Sequence, residues 1–320
     1  MNLKDSMMLY GVTLGKRYTK RQKASFIKYV TEELDRNNIS YKVQDKRSSV
    51  LSIRNLIIGS PEKADVVIAA AYDTPSIPLI KKYCWYPFQP SKNKRQDKLN
   101  SIIEAILICL FFMIAVIGFW NVILSEQVIY KLVSFAIAVI ALVLGYNVSV
   151  GRACSVSFNM NSASVALVMD MVMNCEYSDK VCYVLYSEGV TSVEGVKALK
   201  DVIPENKKII FLSSLAQGSK RLAVCGHNKD YPEELKVKLP SYECHVIKGT
   251  QMDQTIISLF PHALILVAGE KVEKDFVTIN GRTDHDSQVD MNELQETEKG
   301  LISYLKNERN EKYEVINTRR

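Results

Sequence analysis

The stretch Ala64-Asp65-Val66-Val67-Ile68-Ala69-Ala70-Ala71, followed by Tyr72-Asp73-Thr74-Pro75, places an unbroken apolar run directly before a polar turn. Residues 66–71 carry no polar side chain, whereas a half-exposed strand alternates apolar and polar residues. A continuous apolar run of this length is typical of a strand that is buried on both faces. The stretch therefore predicts a central strand in a sheet that is covered on both sides.

Helix and strand patterns alternate along the rest of the chain. Residues 19–36 carry Ala24, Ile27, Val30 and Leu34 on one stripe, with lysines and glutamates opposite, which predicts an amphipathic helix. Further strands are predicted at 50–58, 180–186, 208–212 and 263–268, and further helices at 162–174, 192–200 and 291–306. This alternation predicts an α/β fold with a mixed, largely parallel central sheet and helices on both faces.

Two long apolar segments interrupt this alternation between residues 101 and 150. They lie at about 102–124 and 128–148, and each contains one ionisable residue near its start, Glu104 and Lys131. At roughly 1.5 Å of rise per residue, each segment is long enough to cross a hydrocarbon core of about 30 Å. We therefore predict a transmembrane helical hairpin rather than two buried core helices, which seldom lack a polar face over this length.

Basic residues are concentrated on one side of the predicted hairpin. The turn Ser125-Glu126-Gln127 contains none, whereas Arg152 follows the second span. Six basic residues precede the first span: Lys81, Lys82, Lys92, Lys94, Arg95 and Lys98. The positive-inside rule predicts an integral membrane protein with two spans, with both termini and the soluble domain in the cytoplasm. The net charge of +6 is attributed to contact with the lipid bilayer rather than with nucleic acid.

These patterns divide the chain into five segments. Residues 1–77 form the first part of an α/β domain, 78–100 a basic juxtamembrane linker and 101–150 the transmembrane hairpin. Residues 151–306 form the second part of the domain, and 307–320 form a charged tail that is expected to be mobile. The two soluble parts are assigned to one domain because the sheet that begins before the hairpin needs strands from after it.

The seven cysteines form no CxxC pair. Cys225 lies near His227, and Cys244 precedes His245, but neither pair has the spacing of a structural zinc site. Scattered thiols in the reduced state are the expected interpretation for a cytosolic domain.

Five segments have the order and composition of motifs in one peptidase family. Ala71-Tyr72-Asp73-Thr74-Pro75 matches a His-Tyr-Asp-Thr-Pro turn, and Met160-Asn161-Ser162-Ala163-Ser164-Val165-Ala166 matches an Asp-Asn-Ala-Ser-Gly-Val-Ala helix start. The other three are Val184-Leu185-Tyr186-Ser187-Glu188-Gly189, the segment 252–261 and Arg282-Thr283-Asp284-His285-Asp286-Ser287. Through them the chain resembles the M28 family of zinc aminopeptidases over about residues 20–305, which implies the α/β zinc-peptidase fold with the hairpin inserted.

The resemblance also implies a site with two zinc ions, whose ligands are two histidines, a bridging aspartate, a glutamate and a further aspartate. The matching positions hold residues that are not normal zinc ligands: Ala71, Met160, Gly189, Leu215 and Arg282. No histidine precedes His227, and no acidic residue lies between Cys154 and Met169, so a shifted alignment does not restore the ligands. We expect no zinc, no other metal and no cofactor.

Two carboxylates of the matched motifs are retained. Glu188 corresponds to the general base, and Asp73 to the aspartate that orients the missing histidine. We treat both as vestigial, because a glutamate without a metal-bound water is a poor hydrolytic base. Arg282 is expected to pair with Asp73 or Glu188, and the turn that contains His285 and Asp286 is expected to be solvated.

The resulting interpretation is a pseudoenzyme rather than an enzyme. A membrane-anchored, peptidase-like domain in the cytoplasm would bind a peptide or a partner membrane protein. Two alternatives are a membrane-bound peptide hydrolase that uses Glu188 in an atypical site, and a structural subunit of a membrane complex. The hairpin interrupts the segments that line the cleft in the family, so the linker is expected along the lipid headgroups. Its aromatic residues are expected to anchor at the interface, which is the more common use, or to touch a membrane partner: Tyr83, Trp85, Tyr86 and Phe88.

Overall fold

The architecture comes from a computed structural model that describes residues 2–47, 52–80, 83–174, 180–190, 192–253, 255–283 and 285–317. Lys81, Lys82, Gln254 and Asp284, which were part of the sequence interpretation, lie outside these ranges. The described strands are β1 (Tyr41–Arg47), β2 (Ser52–Ile58), β3 (Val66–Ala71), β4 (Val181–Tyr186), β5 (Lys208–Ser213), β6 (Lys220–Cys225), β7 (Tyr242–Val246), β8 (Ala263–Val272) and β9 (Asp275–Val277).

The described α-helices range in length from 4 residues in α8 to 35 residues in α3. They are α1 (Leu3–Met8), α2 (Lys20–Arg36), α3 (Pro90–Leu124), α4 (Val128–Val150), α5 (Ala163–Asn174), α6 (Glu194–Leu199), α7 (Glu233–Lys238), α8 (Thr250–Asp253) and α9 (Met291–Asn317). Helix α1 continues into a π-helical turn at Leu9–Thr13, and a second π-helical turn at Phe158–Ser162 precedes α5.

The strands form one sheet in the order β1-β2-β4-β3-β5-β8-β6-β7, with β9 paired to β8. The four central strands, β4, β3, β5 and β8, run parallel to one another. Antiparallel pairs flank this centre on both sides, β2 with β4 and β6 with β8. The predicted fold class, a mixed sheet with a largely parallel centre, is therefore confirmed.

Strand β3 lies in the middle of the sheet and is buried along its whole length. Val66, Ile68 and Ala70 belong to a core on one face, together with residues of α1, α2, α5 and α9. The alternate residues of the strand belong to a second core on the other face, which includes residues of α6. The unbroken apolar run therefore reflects two covered faces, as predicted.

Helices α3 and α4 form an antiparallel hairpin that is inserted between β3 and α5. Both are long and apolar enough, by length and composition, to cross a membrane, and 11% of the most apolar window of each helix is buried. The two ends of the insertion lie side by side, because Ser76 and Ala153 form an isolated β-bridge and the N–H of Ile77 donates to the carbonyl oxygen of Arg152 at 2.8 Å.

Several boundaries differ from the sequence prediction. Helix α3 begins at Pro90, inside the segment predicted as a linker, because Pro90 occupies the first turn, where a missing N–H is tolerated. Helix α9 extends to Asn317, so the segment predicted as a mobile tail is helical up to that residue. Strands β1, β6 and β7 were not predicted, since their residues mix charged and apolar side chains without a long apolar run.

Candidate functional site

The candidate site lies where the carboxyl ends of the parallel strands β3, β4 and β5 meet. The turns after these strands contain Asp73, Glu188 and Leu215, respectively. The π-helical turn at Phe158–Ser162 and the loop around Arg282 approach the same edge of the sheet. In open α/β folds, the carboxyl edge is where side chains from different strands converge.

Asp73 is buried and fixes the turn after β4. Its Oδ1 accepts from the N–H of Gly189 at 3.0 Å, and its Oδ2 accepts from the N–H of Val190 at 3.3 Å. Burial raises the pKa of Asp73 above its ordinary value, while the charge of Lys23 and the two backbone donors act in the opposite direction. Asn161 joins the π-helical turn at Phe158–Ser162 to the turn after β3, because its side-chain amide donates to the carbonyl oxygen of Asp73 at 2.6 Å.

Glu188 lies beside Asp73, and its carboxylate is paired with a lysine from the first half of the chain. Lys23, on the first turns of α2, donates from Nζ to Oε1 of Glu188, and both side chains are largely buried. Helix α2 is positioned by a capping box, in which Thr19 accepts from the N–H of Gln22 and Gln22 accepts from the N–H of Thr19. No pattern in the sequence singled out Lys23 among the lysines of this amphipathic helix.

Arg17 supports the turn that carries Asp73 and was also missed by the sequence analysis. Its guanidinium is fully buried and donates to the carbonyl oxygens of Tyr10, Leu14 and Tyr72 and to Oγ of Ser162. Burial lowers the pKa of Arg17 to about 9, and the charge of Asp73 opposes this shift. The side chain therefore ties the N-terminal segment to the turns after β3 and before α5.

The positions that correspond to metal ligands come together in two groups. A Cβ atom built on Gly189 would lie 2.4 Å from Cβ of Ala71, so these two positions are in contact. Sδ of Met160 lies 3.9 Å from Oγ of Ser214, the residue before Leu215, and 3.5 Å from a Cβ built on Gly281, the residue before Arg282. The matched positions therefore bring together a methyl group and a thioether in place of metal ligands.

Arg282 points away from the carboxylates with which it was expected to pair. Its Nη1 donates to the hydroxyl of Tyr83 at 2.6 Å and to Oδ1 of Asp97 at 3.0 Å. The guanidinium carbon lies 4.6 Å from the ring centre of Tyr83 and 5.6 Å from that of Trp85. The predicted pairing with Asp73 or Glu188 is wrong, because Asp97 in α3 supplies a closer carboxylate and the segment before α3 supplies two aromatic faces.

This segment, residues 83–89, is called the strap. The N–H of Thr278 donates to the carbonyl oxygen of Trp85 at 3.0 Å, and Phe88 stacks on Phe276 with ring centres 5.6 Å apart. Tyr83 and Phe88 are buried against the domain. The expectation that these two rings lie at a lipid interface is therefore wrong; Tyr83 contacts Arg282, and Phe88 attaches the strap to Phe276 of β9.

Asp286 fixes the π-helical turn at Phe158–Ser162 by accepting hydrogen bonds from its backbone. Its Oδ1 accepts from the N–H of Asn159 at 2.6 Å, and its Oδ2 accepts from the N–H of Met160 at 2.9 Å. The residue is 2% exposed, so the expected solvated turn is wrong at this position, although His285 is exposed. Burial raises the pKa of Asp286 to about 6, against the effect of its backbone donors.

Four residues at the site have left-handed backbone conformations that side chains other than glycine rarely adopt. Their φ angles are 77° for Asn161, 57° for Glu188, 50° for Ser214 and 67° for Arg282. Strained conformations of this kind cost of order 1–3 kcal/mol each and persist only where the surrounding structure enforces them. The backbone of the site is therefore held in a demanding geometry even though its side chains have changed.

The side chains at the matched ligand positions do not fit a centre with two zinc ions. The five matched positions offer no nitrogen, oxygen or thiolate ligand, and the buried oxygens of Asp73 and Asp286 accept backbone hydrogen bonds. Within the described ranges, no group of three or more His, Cys, Asp or Glu side chains converges at metal-binding distance. The absence of zinc stays a prediction that follows from the residues at these positions.

A cavity of about 260 Å³ opens beside Glu188, between α2 and the turns after β3 and β4. Its lining combines cationic, anionic and hydroxyl groups, and the residues are Tyr18, Thr19, Lys20, Lys23, Ser52, Asp73, Thr74, Glu188 and Val190. The two retained carboxylates, Asp73 and Glu188, therefore line a space that a small polar group could enter.

No family model and no curated protein sequence matches the chain. Solved structures do match. A glutaminyl cyclase from Tannerella forsythia has 12% identity and a TM-score of 0.57, covering 95% of this chain and 98% of that one. A glutaminyl cyclase from Bacteroides thetaiotaomicron, bound to N-acetylhistamine, has 10% identity and a TM-score of 0.54, covering 95% and 97%.

A third solved structure, LapA of Legionella pneumophila, has 7% identity and a TM-score of 0.50, and the match covers 95% of this chain and 70% of that one. The glutaminyl cyclases and LapA share the M28 zinc-peptidase-like fold, and the chain has this fold. The resemblance found in the sequence motifs is therefore confirmed at the level of the fold.

Proposed function

We propose that the chain is a membrane-anchored, peptidase-like protein without hydrolase activity, whose cytoplasmic domain binds a peptide or a partner membrane protein. One observation carries the proposal: the groups that hydrolysis would require are replaced or occupied. Arg282 stands at a ligand position and pairs with Asp97, and Glu188 pairs with Lys23. A carboxylate that is held by an ammonium group is poorly placed to take a proton from water.

The cavity beside Glu188 supports peptide binding. Glu188 and Lys23 both line the cavity, and Lys23 donates to one oxygen of Glu188. A carboxylate accepts from N–H groups and an ammonium group has three donors, so the pair is complementary to the N–H and C=O groups of a peptide. The volume of about 260 Å³ suits one or two residues rather than a long segment.

Membrane anchoring is supported by the surface of the hairpin. Large apolar side chains on α3 and α4 are exposed, including Ile106, Trp120, Ile123, Val128 and Ile129. An apolar surface of this extent is normally covered, and helices of this length match the hydrocarbon core of a bilayer. Basic residues at the domain end of the hairpin favour a cytoplasmic domain.

The absence of hydrolase activity is tested with the full-length chain purified in detergent. We expect zinc far below one ion per chain and no turnover of alanine p-nitroanilide or of a peptide with N-terminal glutamine. The Glu188→Gln variant serves as the blank for both assays. Close to two zinc ions per chain, with turnover that Glu188→Gln abolishes, would establish the hydrolase alternative instead.

Peptide binding is tested by saturation-transfer NMR with tri-alanine. We expect a transfer signal that is strongly reduced in Lys23→Met and unchanged in Lys63→Met, since Lys63 is an exposed lysine that does not line the cavity. Equal signals from the wild type and Lys23→Met would show that the peptide does not bind in this cavity.

The membrane topology is tested with reporter fusions. A periplasmic-type reporter inserted at Glu126, in the turn between α3 and α4, is expected to be active, and the same reporter at the C-terminus inactive. The opposite pattern, or recovery of the chain in the soluble fraction after alkaline extraction, would contradict the proposed anchoring.

A further inference from the structure

Cys225 and Cys244 face each other on adjacent parallel strands, far from the candidate site. In the register of β6 and β7, Ala223 is opposite Cys244 and Cys225 is opposite Val246. Because side chains alternate along a strand, Cys225 and Cys244 point to the same face of the sheet. Their sulfur atoms lie 3.8 Å apart. Neither the resemblance nor the proposed function assigns a role to this pair.

The two thiols differ in access. Cys225 is fully buried, whereas Cys244 is exposed. Burial raises the pKa of Cys225 to about 12, with Cys244 and Asp230 acting in the same direction and the charge of Lys236 opposing them. A reagent from solution therefore meets Cys244 first.

The charged groups around the pair come from the segment between the two strands. Lys236, on α7, has its ammonium 5.6 Å from the ring centre of Tyr231 and also pairs with Glu233. Asp230, before α7, supplies the opposing charge. The ammonium charge of Lys236 opposes the rise in the pKa of Cys225, and the thiolate is the reactive form in disulfide exchange.

We propose that Cys225 and Cys244 are a thiol pair that is reversibly oxidised to an intrachain disulfide by the disulfides of low-molecular-weight thiols. The sulfur atoms of a disulfide are about 2.05 Å apart, so the pair must close the remaining distance. Rotation of the Cys244 side chain can do this because that residue is exposed and its strand is at the edge of the sheet.

The reaction proceeds in two exchanges. The Cys244 thiolate attacks one sulfur of the small disulfide, forms a mixed disulfide and releases one thiolate. The Cys225 thiolate then attacks Sγ of Cys244 and expels the second thiolate, while the protons of both cysteines pass to solvent or to the leaving thiolates. Two protein thiols are oxidised, and one small disulfide is reduced to two thiols.

The disulfide would join β7, an edge strand that also contacts the strap, covalently to β6. His245 follows Cys244, and its ring lies 5.9 Å from the ring of Phe88 in the strap. In the reduced state β7 is joined to the sheet by its pairing with β6 alone, within the described residues. Oxidation would therefore slow the opening of β7 at the point where the strap is attached.

The test uses the full-length chain in detergent, equilibrated with mixtures of reduced and oxidised glutathione. We expect intact mass to show the loss of two hydrogens, and peptide mapping without reductant to join the peptides of Cys225 and Cys244. Hydrogen exchange of residues 242–246 is expected to become slower on oxidation and to return after reduction.

Variants separate the proposed pair from general thiol oxidation. Cys225→Ser should trap one glutathione on Cys244, Cys244→Ala should prevent the bridge without disturbing the core, and Cys84→Ser, which removes another exposed thiol, should leave the bridge intact. A wild-type chain that keeps a stable glutathione adduct on Cys244, or that bridges equally well in Cys244→Ala, would overturn the proposal.

Discussion

Arg282 and Asp97 contribute unequally to their ion pair, because the side chain of Arg282 is 7% exposed whereas that of Asp97 is 42% exposed. Removal of the carboxylate leaves a buried guanidinium without its counter-charge, and removal of the guanidinium leaves a carboxylate that water can reach. We expect Asp97→Asn to lower the free energy of unfolding by about 1–3 kcal/mol. We expect Arg282→Met to be closer to neutral, since methionine fills the same apolar space.

Scanning fluorimetry in detergent measures both variants. The double variant Asp97→Asn/Arg282→Met serves as the control and should be more stable than Asp97→Asn alone. A larger loss in Arg282→Met than in Asp97→Asn would show that the stacking on Tyr83 and Trp85, rather than the charge pair, dominates this contact.

Gly189 has no room for a side chain. A Cβ at this position would lie 2.4 Å from Cβ of Ala71 and 2.6 Å from Cε2 of Tyr186. Overpacking at such distances forces backbone or rotamer shifts, so Gly189→Ala should destabilise the domain by about 1–3 kcal/mol. Gly226→Ala is the matched control, because its added methyl would meet neighbours at 3.4 Å or more; equal losses of thermal stability in the two variants would refute the close contact.

The residues of the site could be predicted from the sequence only in part. Motif positions identified Ala71 and Gly189 as ligand positions without metal-binding atoms, and the structure shows that the two are in contact. The partners of Glu188 and Arg282 could not be identified in this way. Lys23 and Asp97 lie 165 and 185 residues from them, and nothing in a local pattern specifies contacts of that separation.

The two helices of the hairpin pack through small residues. Ala115 and Gly118 of α3 and Ala138, Ala141 and Gly145 of α4 are buried. Gly118 and Ala138 are in contact within the hairpin itself.

Gly118→Leu should separate α3 from α4. A Cβ on Gly118 would lie 2.9 Å from Cβ of Ala138 and 2.9 Å from the carbonyl oxygen of Ser134. We expect a loss of about 1–3 kcal/mol, seen as a lower melting temperature in detergent. Ala136→Leu creates the same side chain on the exposed side of α4, adding one carbon fewer, and should have little effect; a comparable loss in Ala136→Leu would indicate a partner on that side.

Long apolar elements could be predicted from the sequence, whereas edge elements could not. Strand β3 and the hairpin have continuous apolar runs, but β7 consists of Tyr-Glu-Cys-His-Val with three exposed residues. The strap shows a different difficulty. Aromatic rings such as Phe88 suit a lipid interface and a protein core equally well, and only the partner Phe276 decides between the two.

Buried acids should make the whole domain less stable as the pH rises from the ordinary carboxyl range to about 8. Burial raises the pKa of Asp286 to about 6, and burial, reinforced by the hydrogen bond and charge of Asp170, raises the pKa of Glu298 to about 8. Between the ordinary acid range and these values, the folded chain holds protons that the unfolded chain has released. The free energy of unfolding therefore decreases with rising pH across this window.

The melting temperature in detergent should accordingly be higher at pH 5.5 than at pH 8. Exposed acids with lowered pKa, Glu243 and Asp275, lose their charge only below this window and do not reverse the trend. Glu298→Gln keeps a neutral group at the α5–α9 contact and should flatten the change between pH 6.5 and 8. A melting temperature that rises steadily to pH 8 would be incompatible with these buried acids.

The β-bridge between Ser76 and Ala153 means that the chain leaves the domain before the hairpin and re-enters it after the hairpin at the same point. Excision of residues 77–152 with a short glycine joint should consequently leave the sheet intact and yield a fragment that needs no detergent, which size-exclusion chromatography can establish. Such a fragment would also lack the strap and Asp97. Its Arg282 would face water as an uncompensated cation, so the truncated domain would show an anion affinity that the parent chain lacks.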